Sequence, residues 1–547
     1  MPSLRVLRTF VLRVVERLGS SAAVMIAWWH DPAMTDRPWT GDACSLVDAF
    51  RRGERTPLDE LETCLAAIDA SDLNAFAFLD PERAHDAARH ADLSQPFGGV
   101  PVGIKELEPV AGWPWTEGSL VFRDRVATRT SVNVDRLLGR GGAVPVGLTT
   151  ASEFGGLNVS VTKLNGTTHN PWHHGRTTGG SSAGSAAAVA GGLVSLATGG
   201  DGGGSIRIPA AYTGLLGMKG TFGRIPRSPD AFSRPGTVVL GCLARSVRDA
   251  ARYYDVCAGY DSEDPTSLPS SGAWESGLGT HELRGKRVAV LPDLGGVSRV
   301  SPLVESRVRD AAKELIDASG MVEVDVALHM PNLAVHWMLG NVSTLLAELG
   351  AKWPSCANDL TEEVAAGLFM SQSLYNLRVA ATAEELRIRA YEAMAELFDR
   401  VDFVIAATNP DVAFAADAAT SSTKQSVLDT ARTHTTFRLG MRGMFAAERY
   451  AAAAFPNLSN AIAGQITMRF PDLVSMGALT MISNLYGNPA VSIPCGVVDE
   501  LPVGLQVLTR HHDDALLFDV ALSAERAAPW PLTAPERGPG GSVSQAL

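Results

Sequence analysis

Apolar residues recur at helical spacing from Ser45 through Ala67, and Pro57 opens the second part of that stretch, so two N-terminal helices are predicted. The run Gly99-Val-Pro-Val-Gly-Ile104 is short, apolar and bounded by glycine, which predicts a buried strand that delivers Lys105 at its end. Residues 132–140 read as a helix and Ala143 to Gly147 as the next strand, and this alternation predicts an α/β fold. Gly and Ser dominate 179–205. A strand at Arg287 to Leu291, an amphipathic helix at 303–318 and a strand near Phe403 to Ala407 then follow. Residues 330–475 are rich in Met and Ala and read as largely helical; they are expected to cap one side of the sheet and shape a pocket. Ala490 to Pro494 and Val503 to Leu508 read as paired strands, and Asp513 to Glu525 as a final helix. Beyond Trp530 the Pro- and Gly-rich tail, 530–547, is expected to be flexible. No internal repeat or long linker divides the chain, so 34–80 reads as N-terminal helices and 81–529 as one domain.

Residues 1–33 stand apart. They carry Arg5, Arg8, Arg13 and Arg17, then an apolar run from Ala22 to Trp29 that is too short to cross a bilayer, which takes about 20 residues. Trp28-Trp29-His30-Asp31-Pro32 makes a poor signal-peptide cleavage site. A basic amphipathic helix on a membrane surface is the competing reading. The preferred expectation is that folding begins near Met34-Thr35-Asp36, that 1–33 is an extension, and that the protein is cytoplasmic.

Across its 547 residues the chain is 46% hydrophobic and 19% charged, an ordinary globular composition with material for a large core. With 47 Lys and Arg against 59 Asp and Glu, the formal charge of −12 argues against a nucleic-acid partner. The six cysteines, from Cys44 to Cys495, form no C-x-x-C pair and read as buried free thiols. The twelve histidines, including His173-His174 and His511-His512, lack carboxylate or Cys neighbours at ligand spacing and read as surface or core residues. Lysine occurs at only seven positions, so Lys105 at the end of an apolar strand stands out.

The segment Thr178-Gly-Gly-Ser181-Ser182-Ala-Gly-Ser185 turns into a small-residue helix, and a second Gly-rich turn follows at Gly199 to Ser205. Glycine leaves backbone N–H groups unobstructed, so several facing one point can hold an anion or a developing oxyanion. Neither phosphate-loop pattern fits here. Gly180-Ser-Ser182-Ala-Gly184 matches G-x-S-x-G, but the polar, Pro-interrupted Asn170 to Arg176 is not the strand that a nucleophile elbow requires. A third reading joins both turns to the lysine. A serine hydroxyl is a weak nucleophile that needs a base, and a lysine desolvated at an apolar strand end can serve.

The joint arrangement resembles the amidase signature family. The resemblance rests on Gly98-Gly-Val-Pro-Val-Gly-Ile-Lys105, on Gly179-Gly-Ser-Ser182 and on Asp201-Gly-Gly-Gly-Ser-Ile-Arg-Ile-Pro-Ala210. Further blocks include Glu153-Phe-Gly155, Asn170-Pro-Trp172, Gly217-Met-Lys219, Asn484 to Ala490 and Leu501 to Gln506. It spans about residues 40–525, with 330–475 only loosely matched.

The resemblance implies one large mixed β-sheet covered by helices on both faces, and amide hydrolysis through a Ser-cisSer-Lys triad. By position Lys105 is the base, Ser181 the relay on a cis peptide after Gly180, and Ser205 the nucleophile. The expected oxyanion hole is the backbone N–H set of Gly202, Gly203, Gly204 and Ser205. Ser182, Asp201 and Arg207 are expected to support the site, and Lys219 to be structural. The implied partner is a small-molecule amide, with no metal or organic cofactor, no stable membrane insertion and homo-oligomers left open. Glu106 stands where Asp is usual, Leu148 and Thr150 replace Lys and Asn, and Cys242 replaces a common Pro. Gly202, often Thr in the family, is shared with the branch containing cyclic aminohexanoate dimer hydrolases. Trp113, Trp115 and the Met-rich 437–481 stretch are candidates for an apolar acyl pocket, with plain core packing as the competing reading. Two other functions stay open: an ammonia-releasing component of a tRNA-dependent amidotransferase, and a non-catalytic binding protein on the same scaffold.

Overall fold

The computed structural model describes residues 37–159, 161–229, 236–270, 272–418 and 477–535, with Gly440 and Gly443. The predicted extension 1–33 and start near Met34, most of the Met-rich 437–481 stretch and the end of the tail lie outside the described residues.

The predicted N-terminal helices are α1 (Ala43–Arg52) and α2 (Pro57–Ala70). Each starts on a side-chain cap: Asp42 accepts the Ser45 N–H at 2.7 Å and Thr56 accepts the Asp59 N–H at 3.1 Å. Strand β1 (Phe76–Leu79), α3 (Pro81–Arg89), β2 (Pro101–Lys105), α4 (Val132–Leu138) and β3 (Val144–Thr149) come next. A small hairpin, β4 (Val161–Thr162) and β5 (Gly166–Thr167), leads to α5 (Ala183–Ala190), β6 (Leu196–Asp201), α6 (Arg207–Thr213), β7 (Leu216–Lys219), β8 (Val239–Ala244) and α7 (Val247–Cys257). The chain continues through β9 (Arg287–Val290), α8 (Pro302–Ser319), β10 (Val322–Glu323), α9 (Ala334–Leu349), α10 (Glu362–Leu374), α11 (Leu377–Arg400) and β11 (Phe403–Ala407). Helix α12 (Ala478–Tyr486), β12 (Ala490–Val498), β13 (Leu501–Thr509) and α13 (Asp514–Ala527) complete it.

Among the described residues eleven strands form one mixed sheet in the order β1-β3-β2-β6-β8-β7-β12-β13-β11-β9-β10. Strand β2 runs parallel to both neighbours, β3 and β6, whereas β6 with β8 and β12 with β13 are antiparallel. Successive strand residues face opposite sides. Leu196 and Cys242 accordingly join a core with α1, α7, α8 and α13, while their neighbours Ala197 and Leu243 join a core with α2, α3, α5 and α6. Helices therefore cover both faces.

Two differences from the sequence reading matter. Gly199, Gly200 and Asp201 are not part of a turn; they extend β6, paired opposite Gly241, Leu240 and Val239 of β8. Glycine weakens the local strand signal, and cross-strand pairing supplies what local propensity lacks. The start of the tail is also anchored, since the Trp530 indole N–H donates to the Arg245 carbonyl at 2.9 Å and the Ala534 N–H to the Ala190 carbonyl at 2.7 Å. In the 330–475 stretch, α9, α10 and α11 pack largely on one another, through Leu345 with Val364 and Leu368, and through Leu339 with Val379. Five of the six free thiols are buried and Cys495 is partly so. Among the described residues no helix is long and apolar enough to cross a membrane.

Candidate active site

Strand β2 is buried at every position, so the lysine at its end enters the interior rather than solvent. Lys105 is 2% exposed. Its backbone N–H donates to Thr198 Oγ1 on β6 at 2.9 Å, and its carbonyl accepts the Glu108 N–H at 2.8 Å, which fixes the turn after the strand. Its Nζ donates to Ser181 Oγ at 2.9 Å, Ser182 Oγ at 2.8 Å and the Gly200 carbonyl at 3.3 Å.

The two glycine-rich segments meet at this nitrogen. The Gly180–Ser181 peptide bond is cis, and the Ser181 carbonyl accepts the Ser152 N–H at 3.2 Å. Ser182 donates its backbone N–H to the Ser205 carbonyl at 3.3 Å, so the segment before α5 and the one before α6 are tied directly. No strand precedes Ser182 between Asn170 and Gly180, only the isolated bridges Asn170–His173 and Arg176–Ala415, and the context of a nucleophile elbow is missing. Ser181 and Ser205 line the adjoining cavity together with Lys105, whereas Ser182 is fully buried behind them.

The loop Gly202–Ser205 is held from below by an ion pair. Arg207 and Asp201 are both fully buried; Nε and Nη2 of the guanidinium donate to the two carboxylate oxygens at 2.9 Å each. The remaining guanidinium donors reach Ser483 at 2.8 Å, Asn484 at 2.7 Å and Gln506 at 2.5 Å. Burial alone would raise the Asp201 carboxyl, but the Arg207 charge and hydrogen bonds outweigh it and hold Asp201 well below the usual carboxylate range. Asp201 Oδ1 in turn accepts the Gly204 N–H at 2.7 Å. The Gly204 amide is thus taken by Asp201, against the expectation that it joins an oxyanion hole. Gly204 has φ 123°, and a Cβ there would meet Thr480 Oγ1 at 2.1 Å, so only glycine fits.

The cavity measures about 680 Å³ and is walled mainly by apolar side chains, among them Leu107, Phe154, Leu240, Trp337, Met338 and Met481. Trp337, from α9, lies directly on the loop, since a Cβ on Gly203 would come within 2.8 Å of its ring. Across the mouth Arg125 stacks 4.0 Å over the Trp115 ring, pairs with Glu117 at 2.9 Å and reaches Glu348 of α9 at 3.6 Å. Trp115 therefore belongs to the cavity. Trp113 does not: it is buried edge-on against Phe78 and donates to Asp80 at 2.7 Å.

The Amidase family model matches residues 59–441, which is more than half of the chain. The chain belongs to the amidase family. It is 31% identical over 498 residues to an acylamidase of Rhodococcus erythropolis, covering 89% of this chain and 95% of that protein. It is 28% identical over 520 residues to one of the subunits of the glutamyl-tRNA(Gln) amidotransferase of Chloroflexus aggregans, covering 89% of this chain and 96% of that one. The fold is also that of a bacterial aryl acylamidase of the amidase signature family, with a TM-score of 0.76 at 24% identity over 90% of this chain and 97% of that chain.

Against this family background, the departures from its usual residues fall outside the lysine–serine contacts. Glu106 accepts the Ala151 N–H at 2.6 Å and both its oxygens take the Asn165 side-chain amide at 2.9 Å; burial still pushes its carboxyl up to about 7. Lys219, the other buried lysine, donates to the Asn488 carbonyl at 2.6 Å and to that of Gly220 at 3.1 Å, away from the cavity. Burial and then the Arg207 charge push it down to about 7. Among the described residues no cluster of three or more His, Cys, Asp or Glu is placed to hold a metal ion. The sequence reading missed the α9 wall, the Asn484 and Gln506 partners of Arg207, and Glu108 in the cavity lining. Only Glu108 carried a signal: a second acidic residue three positions after the lysine in an otherwise apolar stretch.

Proposed function

We propose that this amidase-family chain hydrolyses a carboxylic amide bearing an apolar acyl group, through a covalent Ser205 ester. The observation that carries the reading is the 2.9 Å contact from Lys105 Nζ to Ser181 Oγ beside Ser205, in a buried cavity with apolar walls. In this mechanism Ser205 Oγ attacks the amide carbonyl carbon while its proton passes through Ser181 Oγ to neutral Lys105. The N–H groups of Gly202, Gly203 and Ser205 stabilise the oxyanion, a contribution that for one donor is typically about 10²- to 10³-fold in kcat. The proton returns along the same path to the amide nitrogen, the C–N bond breaks, and the amine or ammonia leaves. Water then attacks the ester carbonyl, gives its proton to Lys105 through the relay, and the acid departs as that proton reaches Ser205. Ser182 holds the lysine from behind throughout.

The test is turnover of a panel of aliphatic and aryl amides by the wild type and Ser205→Ala. The reading expects hydrolysis of apolar amides and a loss of at least about 10⁴-fold in the variant. Undiminished turnover in Ser205→Ala would overturn it.

A second reading is favoured by the match along most of an amidotransferase component: release of ammonia from glutamine for a partner. It predicts glutaminase activity that rises when a second protein of such a complex is added. The first reading is preferred because apolar side chains make up the larger part of the lining, although Arg125, Arg227, Glu117 and Glu348 also reach it.

A further inference from the structure

Of the ionisable groups that line the cavity outside the proposed chemistry, Glu108 lies nearest in sequence to Lys105. Glu108 is 4% exposed, three residues after Lys105, and closes the turn through its N–H on the Lys105 carbonyl at 2.8 Å. Its Oε2 accepts the Asn133 side-chain amide at 2.7 Å. Its Oε1 is enclosed and makes no hydrogen bond of normal geometry among the described residues. Glu106, two residues earlier, differs in this respect: the Ala151 and Asn165 N–H groups saturate it.

A buried carboxylate held by only Asn133 and the Thr198 hydroxyl keeps its charge more readily where a nearby cation adds to them. Lys105 is the cation acting on Glu108; from α7 the Tyr253 hydroxyl and the Cys257 thiol face it, from α4 Asn133, and from β6 the Thr198 hydroxyl. Lys105 in turn feels both Glu106 and Glu108. The Glu106 charge is already stabilised by the loop it organises, so Glu108 depends more on the lysine. The coupling is reciprocal: the carboxylate that needs the ammonium also stabilises it.

We propose that Glu108 is a positioning residue that acts through Lys105, its carboxylate stabilising the protonated lysine and so setting the pH at which the lysine can accept the Ser205 proton. Burial pushes the Glu108 carboxyl up to about 7, so its own charge is also sensitive to pH near neutrality. The same stabilisation makes the ammonium a weaker acid toward the leaving amine. Glu108 therefore governs the acid limb of activity and the dependence on leaving-group basicity together.

The inference rests on the reading of Lys105 as the base. The experiment is the pH profile of kcat/KM for wild type, Glu108→Gln, Glu108→Met and Glu106→Gln, each on an amide and on the ester of the same acid, with Lys105→Ala alongside. Glu108→Gln keeps the Asn133 hydrogen bond, and Glu108→Met keeps the volume if the first variant folds poorly. Removing the charge is expected to move the acid limb down by about 1 pH unit. It is also expected to lower ester turnover more than amide turnover, because the weaker base is a stronger acid toward the leaving amine, a split that a merely structural role would not produce. Glu106→Gln should move the limb less. An unmoved or raised limb in whichever charge-free Glu108 variant folds overturns the role of Glu108. Full activity in Lys105→Ala would overturn the underlying reading instead.

Discussion

Arg207 grips Asp201 through two parallel hydrogen bonds of 2.9 Å in a site where neither side chain is exposed. The pair does not face the cavity. It sets the loop that does, because Asp201 Oδ1 also takes the Gly204 N–H and so fixes the run from Gly202 to Ser205. Replacing one member of a buried pair strands the other charge, which typically costs about 3–5 kcal/mol. Asp201→Asn is therefore expected to lower stability by an amount of that order in a denaturant titration, and to reduce kcat even in the folded fraction.

The same pair makes stability fall in acid. The folded carboxyl of Asp201 lies below its unfolded value near 3.8, so its contribution is complete above that pH and is lost as pH falls further. Lys219 acts at the other end. Its folded value of about 7 lies below the unfolded 10.5, so the unfolded chain holds the extra proton between them and stability rises with pH through that window. Chemical denaturation at a series of pH values should show both slopes, and Lys219→Met should flatten the alkaline one.

Gly204→Ala is expected to fold around a distorted loop and lose about 10²- to 10³-fold in kcat, since the new Cβ would collide with Thr480 at a positive φ. Steady-state kinetics check this. A variant with wild-type kcat would show that the loop geometry is dispensable.

The two serines on Lys105 should separate by magnitude. Ser182→Ala removes one hydrogen bond to Nζ from behind the site and is expected to cost about 10-fold in kcat. Ser181→Ala removes the proton path and is expected to cost about 10²- to 10⁴-fold. Reversal of that order would make Ser182 the relay.

How much of this was legible beforehand depended on how local the determinant is. The strand ending at Lys105 was readable because the four residues before it, Pro101 to Ile104, form an unbroken apolar run, buried between the parallel strands β3 and β6. The end of β6 was not, because Gly199 and Gly200 read as a turn until β8 pairs with them. The triad positions came from family resemblance, since a glycine–serine turn alone admits several chemistries. The direction of the Gly204 amide could not be read at all: it depends on Asp201, which Asn484 and Gln506 help to hold through Arg207 from nearly 300 residues away. The cavity wall was hidden for a similar reason. Trp337 reads as one more apolar helix residue until α9 lies over Gly203.

The central claim, that Ser205 is the nucleophile served by Ser181 and Lys105, is tested most directly by intact-mass labelling with a fluorophosphonate probe. Wild type, Ser205→Ala, Ser181→Ala and Lys105→Ala would be labelled and the adduct mapped to a peptide. The account predicts a single adduct on Ser205, absent in Ser205→Ala and formed more slowly in the other two. An adduct on Ser182, or labelling that persists unchanged in Ser205→Ala, would contradict it.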